Sequence, residues 1–193
     1  MSFVHTTPPE AATGAVADLY ERLSAAGPLP NWARLFSLNP ALLAGWSALL
    51  EAVKARQDPR RYDATLGAAR AIRSSYCLLA HGSVLLKDGL PAEALREIGA
   101  EGDSEALSPA ERAILAYAAK IATDATSVTQ GDIDGLRQLG LMEEEIFDIA
   151  ATAAARCFFS KLLDALGTLP DATYAGMEES LRRALTVGRP IAG

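Results

Sequence analysis

Two cysteines and two histidines are the whole supply of thiol and imidazole ligands in this chain of 193 residues. The histidines, His5 and His81, are too few for a multi-histidine site, and neither a resident metal nor another cofactor is expected. The cysteines, Cys77 and Cys157, stand 80 positions apart and are too few for a disulfide framework. In a reducing compartment each is either a small buried apolar residue or a reactive thiol. No apolar run reaches the roughly 18 to 20 residues that a membrane span needs. The opening residues MSFVHTTPPE lack the basic and apolar parts of a signal peptide, so a cytoplasmic protein without a membrane partner is expected. With 18 basic against 24 acidic residues the net charge is −6, and no basic stripe runs along the chain. That balance excludes a nucleic-acid surface. The pairs Arg60-Arg61 and Arg182-Arg183 read as solvated helix ends. Phosphate-binding loops, dinucleotide fingerprints, nucleophile elbows and zinc-protease motifs are all missing.

What is present is helical punctuation. Half the residues are hydrophobic, enough for a sizeable core, and nothing alternates like a strand, so the fold class is all-α. Thr7-Pro8-Pro9-Glu10 has the spacing of a capping box and predicts a helix carrying Val16, Leu19, Tyr20 and Leu23 to Gly27-Pro28. Asn31 is placed to cap a short turn, and Asn39-Pro40 and Asp58-Pro59 each read as a cap followed by proline. From Pro59 to Asp88 no proline interrupts the pattern, and the predicted break lies at Ser74-Ser75, where a hydroxyl caps a new helix. Ser108-Pro109-Ala110-Glu111 is a second capping box, and Thr129 caps a short helix closing at Gly140. Residues 142–166 form a long helix whose middle, IAATAAARCFF, is apolar nearly all round and therefore buried on most sides. A last amphipathic helix spans about 175–186, and residues 99–108 read as a surface loop. The organisation is a single domain over 1–193, with residues 1–57 as a helical arm on a core of 58–190. Trp32, Phe36 and Trp46 either cover a neighbouring copy or close the chain's own core.

The segment that holds chemistry is RAIRSSYCLLAHGSVLLKDG, residues 70–89. Ser74, Cys77 and His81 fall at i, i+3 and i+7, one helix face. A thiol attacks as its thiolate, and its free pKa of about 8.5 leaves little thiolate at neutral pH. A helix opening at Ser74 or Ser75 puts Cys77 in the first turn, beside unpaired N–H groups and the positive dipole end. His81 at i+4 is placed to take or relay a proton. Against this stands a plain packing role, because Leu78, Leu79, Val84, Leu85 and Leu86 make the segment a core helix. Cys157 shares a face with Ile146, Ala150 and Ala153 and reads as core. The acidic run Glu143-Glu144-Glu145 is explained by the helix dipole.

In SSYCLLAHG the sequence resembles the carboxymuconolactone decarboxylase and alkyl hydroperoxidase D superfamily, especially its uncharacterised peroxidase-related branch. The family's mark is Cys-x-x-Cys-x-x-x-His with a glutamate about a dozen residues earlier. Cys77 and His81 match its second cysteine and its histidine. The likeness extends over LPNWARLFSLNP, SPAERAILAYAAKIATDATSVTQGDIDGLRQLGL and AARCFFSKLLDALG. It implies a multi-helical bundle that assembles as a homo-oligomer, a trimer, hexamer or dimer. It also implies that the second cysteine attacks a hydroperoxide, the first resolves it, glutamate and histidine move protons, and a dithiol partner restores the enzyme. Decarboxylase members act on a lactone without redox chemistry. Two positions depart from the pattern. Ser74 replaces the first cysteine, and a hydroxyl cannot resolve a sulfenic acid, so a sulfenate on Cys77 needs Cys157, an outside thiol or a neighbouring subunit. Tyr62, with Asp63 beside it, stands where the glutamate belongs, and a phenol is a weak base at neutral pH.

Three functions are compatible with this pattern. A thiol-dependent, peroxidase-like antioxidant enzyme uses Cys77 as nucleophile and His81 as acid–base partner. In it Ser74 steadies the thiolate, Tyr62 or Asp63 serves substrate or proton, a hydroperoxide is the substrate and an outside thiol the reductant. It predicts Cys77 partly exposed in a pocket. A lyase of the lactone-decarboxylating type relies on His81 instead. A non-catalytic oligomeric binding protein needs neither.

Overall fold

The computed structural model describes residues 2–25, 27–54 and 60–193, except for the side chains of 54 and 60–63. Among the described residues there are ten α-helices and no strand. They are α1 Ala15–Ser24, α2 Asn31–Leu35, α3 Pro40–Lys54, α4 Arg60–Ala71, α5 Ser75–Lys87, α6 Ala92–Glu101, α7 Pro109–Asp124, α8 Gln130–Gln138, α9 Glu143–Ala165 and α10 Glu179–Leu185. No helix among them is long and apolar enough to cross a membrane.

Helix starts follow the local chemistry where no tertiary partner competes. Ser108 Oγ accepts from the Glu111 N–H while Glu111 Oε2 accepts from the Ser108 N–H, and Thr129 and Asp132 make the same reciprocal pair. Asn39 Oδ1 accepts from the Leu42 N–H at 3.0 Å and opens α3. Three predicted caps do not form. At Thr7 the N–H is taken by Ser37 Oγ and the carbonyl by the Tyr20 hydroxyl, so only one 3-10 turn follows, Pro9–Ala11, and α1 begins later, after Gly14. The Asn31 side chain donates to the Leu169 carbonyl instead, leaving Pro30 at the cap. Ser74 starts α5 with its hydroxyl unused as a cap. Asp58-Pro59 lies outside the described residues.

The turn between α4 and α5 runs through Arg73 at φ +60°, and the Ser74 N–H reaches back to the Ala69 carbonyl at 2.8 Å. The region expected as a loop over 99–108 is helical to Glu101, and the loop starts at Gly102, φ +88°. Arg70 extends α6 by binding the Gly99 and Ala100 carbonyls, and a Cβ at Gly99 would meet the Ala184 carbonyl oxygen at 2.7 Å, so α6 and α10 touch backbone to backbone.

Helix α4 is central, packed on α7 and α9 and followed by α5. Leu66, Leu78, Leu79, Leu95, Ile98 and Leu115 fill one side of the core, and Ile114, Ala118, Ile146, Ile149 and Ala153 the other. A third cluster joins α1–α3 to α9 through Tyr20, Phe36, Leu43, Trp46 and Leu163. Phe36 and Trp46 are therefore buried inside the chain itself, which settles their alternative roles in favour of its own core. Large apolar side chains that do face outward include Leu42, Leu49, Phe147 and Phe158.

Near the end of α9, Asp164 lies beside Ser74 and Arg189. Burial is the largest influence on its carboxyl and pushes it above the usual range, while the Ser74 hydroxyl and the Arg189 charge pull it back. The Ser74 oxygen itself meets no partner at hydrogen-bonding geometry. A raised carboxyl holds its proton more tightly folded than unfolded, so its contribution is greatest below the ordinary carboxylate range and is lost as pH rises through the raised one. Asp164→Asn removes that loss. Thermal melts are expected to show the variant gaining on the parent as pH rises above the ordinary carboxylate range of about 4; a difference independent of pH, or shrinking as pH rises, contradicts it.

Candidate functional site

Helix α5 begins at Ser75, which puts Cys77 in its first turn and His81 one turn further on. Both side chains line one cavity of about 280 Å3. Its walls are mainly aromatic and apolar, with Trp32, Trp46, Phe159, Tyr76 and Tyr174 supplying the rings. Phe159 is the hub, 5.3 Å from Trp46 in a stacked pair, 5.8 Å from Phe36 and 5.8 Å edge-on to Trp32. Ser47 of α3, which is exposed, sits on the rim.

Cys77 is 2 % exposed, against the partial exposure expected of it. Helix α9 covers it, and the Ser160 hydroxyl donates to its sulfur at 2.9 Å. Ser160 thus takes the place expected of Ser74, which is fully buried, does not line the cavity and makes no bond to Cys77. His81 is half-buried. Tyr62 and Asp63 fall in the first turn of α4, and their side chains lie outside the described residues. Cys157 packs in the α4–α7–α9 cluster beside Ile146, Ala150 and Ala153 as expected, and both thiols are free. Burial pushes the Cys157 thiol up, opposed by Lys161 and reinforced more weakly by Cys77.

Several groups are invisible to motif reading. The Tyr76 hydroxyl donates to Asp171 Oδ2 at 2.6 Å and accepts from the Trp32 N–H at 3.3 Å, while Asp171 Oδ1 accepts from the Asn31 N–H at 2.6 Å. This bracket fixes α2 over one end of the cavity. Burial first, then the bond to Asp171, drives the Tyr76 phenol far above its usual range. Burial followed by the Asp171 charge raises Tyr174 to about 12. Both phenols stay protonated at neutral pH; the Tyr76 O–H is taken by Asp171, and Tyr174 presents a phenol, not a phenolate, to the cavity. Arg156 also reaches the cavity from α9, with its guanidinium 5.8 Å from the Trp46 ring and 5.7 Å from Phe159. Its signal in the sequence is a lone charge inside an otherwise apolar run.

Among the described residues no group of three or more His, Cys, Asp or Glu side chains is arranged to hold a metal ion. The arrangement offers a thiol with a hydroxyl donor, an imidazole, and a small cavity of rings.

No family model matches the sequence, and no curated protein matches it. Solved structures do. A peroxidase-related protein with an alkylhydroperoxidase AhpD core from Ralstonia eutropha JMP134 is 21% identical, with 90% of this chain and 94% of that one aligned at a TM-score of 0.78. An uncharacterised peroxidase-related protein from Silicibacter sp. TM1040 is 19% identical over 91% and 92% of the two chains, TM-score 0.74. The debrominase Bmp8, as a cysteine-to-alanine variant in complex with 2,3,4-tribromopyrrole, is 19% identical over 93% and 94%, TM-score 0.69.

Proposed function

From the alkylhydroperoxidase core fold that these structures share with the chain, we propose a thiol-dependent enzyme that reduces a small organic hydroperoxide with Cys77. The supporting observation is that Cys77 and His81 line the same cavity while Ser160 donates to the sulfur. In this mechanism the Cys77 proton passes to His81 as the sulfur attacks. The thiolate attacks the outer oxygen of R–O–O–H, the O–O bond breaks, and Cys77 becomes a sulfenic acid. The departing alkoxide takes a proton from His81 and leaves as the alcohol.

Ser74 cannot form the disulfide that a cysteine there would, so reduction falls to an outside thiol. One thiol displaces water from the sulfenic acid to give a mixed disulfide; a second releases Cys77 and departs as the outside disulfide. The protein in this reading is a one-cysteine enzyme that consumes two thiols per hydroperoxide. The neighbours' peroxidase-related names support the reading at the level of fold. The ring-lined cavity favours a second substrate class for the same sulfur, a flat halogenated ring of the kind bound by the debrominase.

The test is to treat the protein with one equivalent of cumene hydroperoxide, trap with dimedone and map the adduct by mass spectrometry. A single adduct on Cys77 is expected. An adduct on Cys157 alone, or none, ends the hydroperoxide reading. Bromide release from tribromopyrrole in its place moves the assignment to the second class.

A further inference from the structure

Among the described residues nothing neutralises the cation of Arg156. It is 8 % exposed, and its Nε is buried without a hydrogen-bond partner. Among the described residues no carboxylate forms an ion pair with it, and the cavity lining contains neither aspartate nor glutamate. An arginine cannot shed its proton to escape this position. Contacts with Trp46 and Phe159 offset part of the lost hydration, but ring faces do not accept the in-plane N–H bonds of a guanidinium. A buried charge without a partner is costly, and a planar carboxylate is the partner whose two oxygens match that fork.

We propose that the cavity binds a small, flat organic carboxylate, its carboxylate on Arg156 and its ring against Trp46 and Phe159. Arg156 and Ser160 are one turn apart on α9, and four residues climb about 6 Å. An anion held at Arg156 therefore leaves the far side of a single ring next to the sulfur that Ser160 holds. The volume of about 280 Å3 lies at the small end of ligand pockets and has room for a single-ring carboxylate. For the Cys77 chemistry above this names the substrate as a ring carboxylate that also bears the hydroperoxide; it rests on that chemistry for the reaction but not for the binding.

Calorimetry with benzoate and its neutral isostere benzamide separates the two. The parent protein is expected to prefer benzoate by about tenfold or more, the effect of a hydrogen-bonded charge pair. Arg156→Met removes the preference, Arg156→Lys keeps part of it, and Cys157→Ser, in a separate packing cluster, keeps all of it. Equal affinity of the parent for both probes, no binding of either, or a preference surviving in Arg156→Met overturns the proposal, and the comparison on the parent protein stands even if the methionine variant does not fold. Benzoate preference in a parent that forms no sulfenic acid would remove the hydroperoxide reading and leave this site in place.

Discussion

Replacing Cys77 by serine is expected to bring hydroperoxide consumption down to the rate of buffer. A serine hydroxyl has almost the volume of the thiol, so the packing around Leu78 and Leu79 survives and the loss reads chemistry, not folding. An alcohol holds its proton at neutral pH and cannot be oxidised to a sulfenic acid, so no residual turnover through position 77 remains. Graded losses at the neighbours complete the pattern. His81→Ala forfeits proton delivery to the leaving alkoxide and is expected to slow the reaction by about 10²- to 10⁴-fold. Ser160→Ala removes one donor from the sulfur and costs about tenfold, the effect of a single bond to a charged group. Cys157→Ser keeps the parent rate, since that thiol belongs to a packing cluster. Stopped-flow measurement of peroxide loss under excess thiol reads all four. A Cys77→Ser protein as fast as its parent defeats the mechanism. A variant set in which His81→Ala alone loses activity on a lactone would point to the decarboxylating type of chemistry.

Gly67→Ala is expected to be the most damaging methyl in the scaffold. A Cβ at position 67 would lie 2.4 Å from the Leu115 carbonyl oxygen and 3.0 Å from its Cα, both rigid backbone of α7. Alanine is a better helix former than glycine by about 1 kcal/mol, so local propensity argues for a gain. The clash argues for a loss, and it wins, because neither helix can withdraw without parting the core between α4 and α7. Overpacking of this kind costs about 1–3 kcal/mol and more against backbone. The net effect is a melting temperature lower by several degrees, at about 2–4 °C per kcal/mol for a chain of this length. Gly135→Ala is the control. Nothing lies within 4 Å of a Cβ there, in the middle of α8, so only the propensity gain remains and the melt is expected to rise. A Gly67→Ala protein that melts at or above the parent temperature refutes the tight α4–α7 contact.

The fold was legible wherever a helix signal is satisfied by its own residues. Ser108 with Glu111 and Thr129 with Asp132 cap as their spacing says, and the break before Ser75 falls where two serines interrupt thirty residues of helical pattern. Signals failed where the same side chain had a better offer from afar. Thr7 is bound through its backbone to Ser37 and Tyr20, and Asn31 to Leu169 and Asp171, partners more than ten positions away that no local window contains. The last turn of α6 reads as loop in the sequence, and it is Arg70, from another helix, that binds its last carbonyls.

The site divides along the same line. Cys77 and His81 share one helix, so their common face follows from spacing alone. Ser160 and Arg156 come from α9, and the geometry that brings one to the Cys77 sulfur and the other to the cavity depends on how α9 crosses α5. Only a charge within IAATAAARCFF hinted at them. Ser74 shows the converse. Its spacing places it on the face of Cys77, yet its position at the cap, after a left-handed Arg73, turns it toward Asp164 instead.

The chain has two tryptophans, and both stand in the wall of the one cavity that holds Cys77. All of its indole fluorescence therefore originates within a few ångströms of that cavity. Trp32 sits in the short helix bracketed by Asp171, and Trp46 lies under the guanidinium of Arg156. Excited at the red edge, where tyrosine is silent, the unlabelled protein is its own optical gauge of occupancy. A molecule that enters, or a sulfur that changes oxidation state, alters the surroundings of every emitting ring at once.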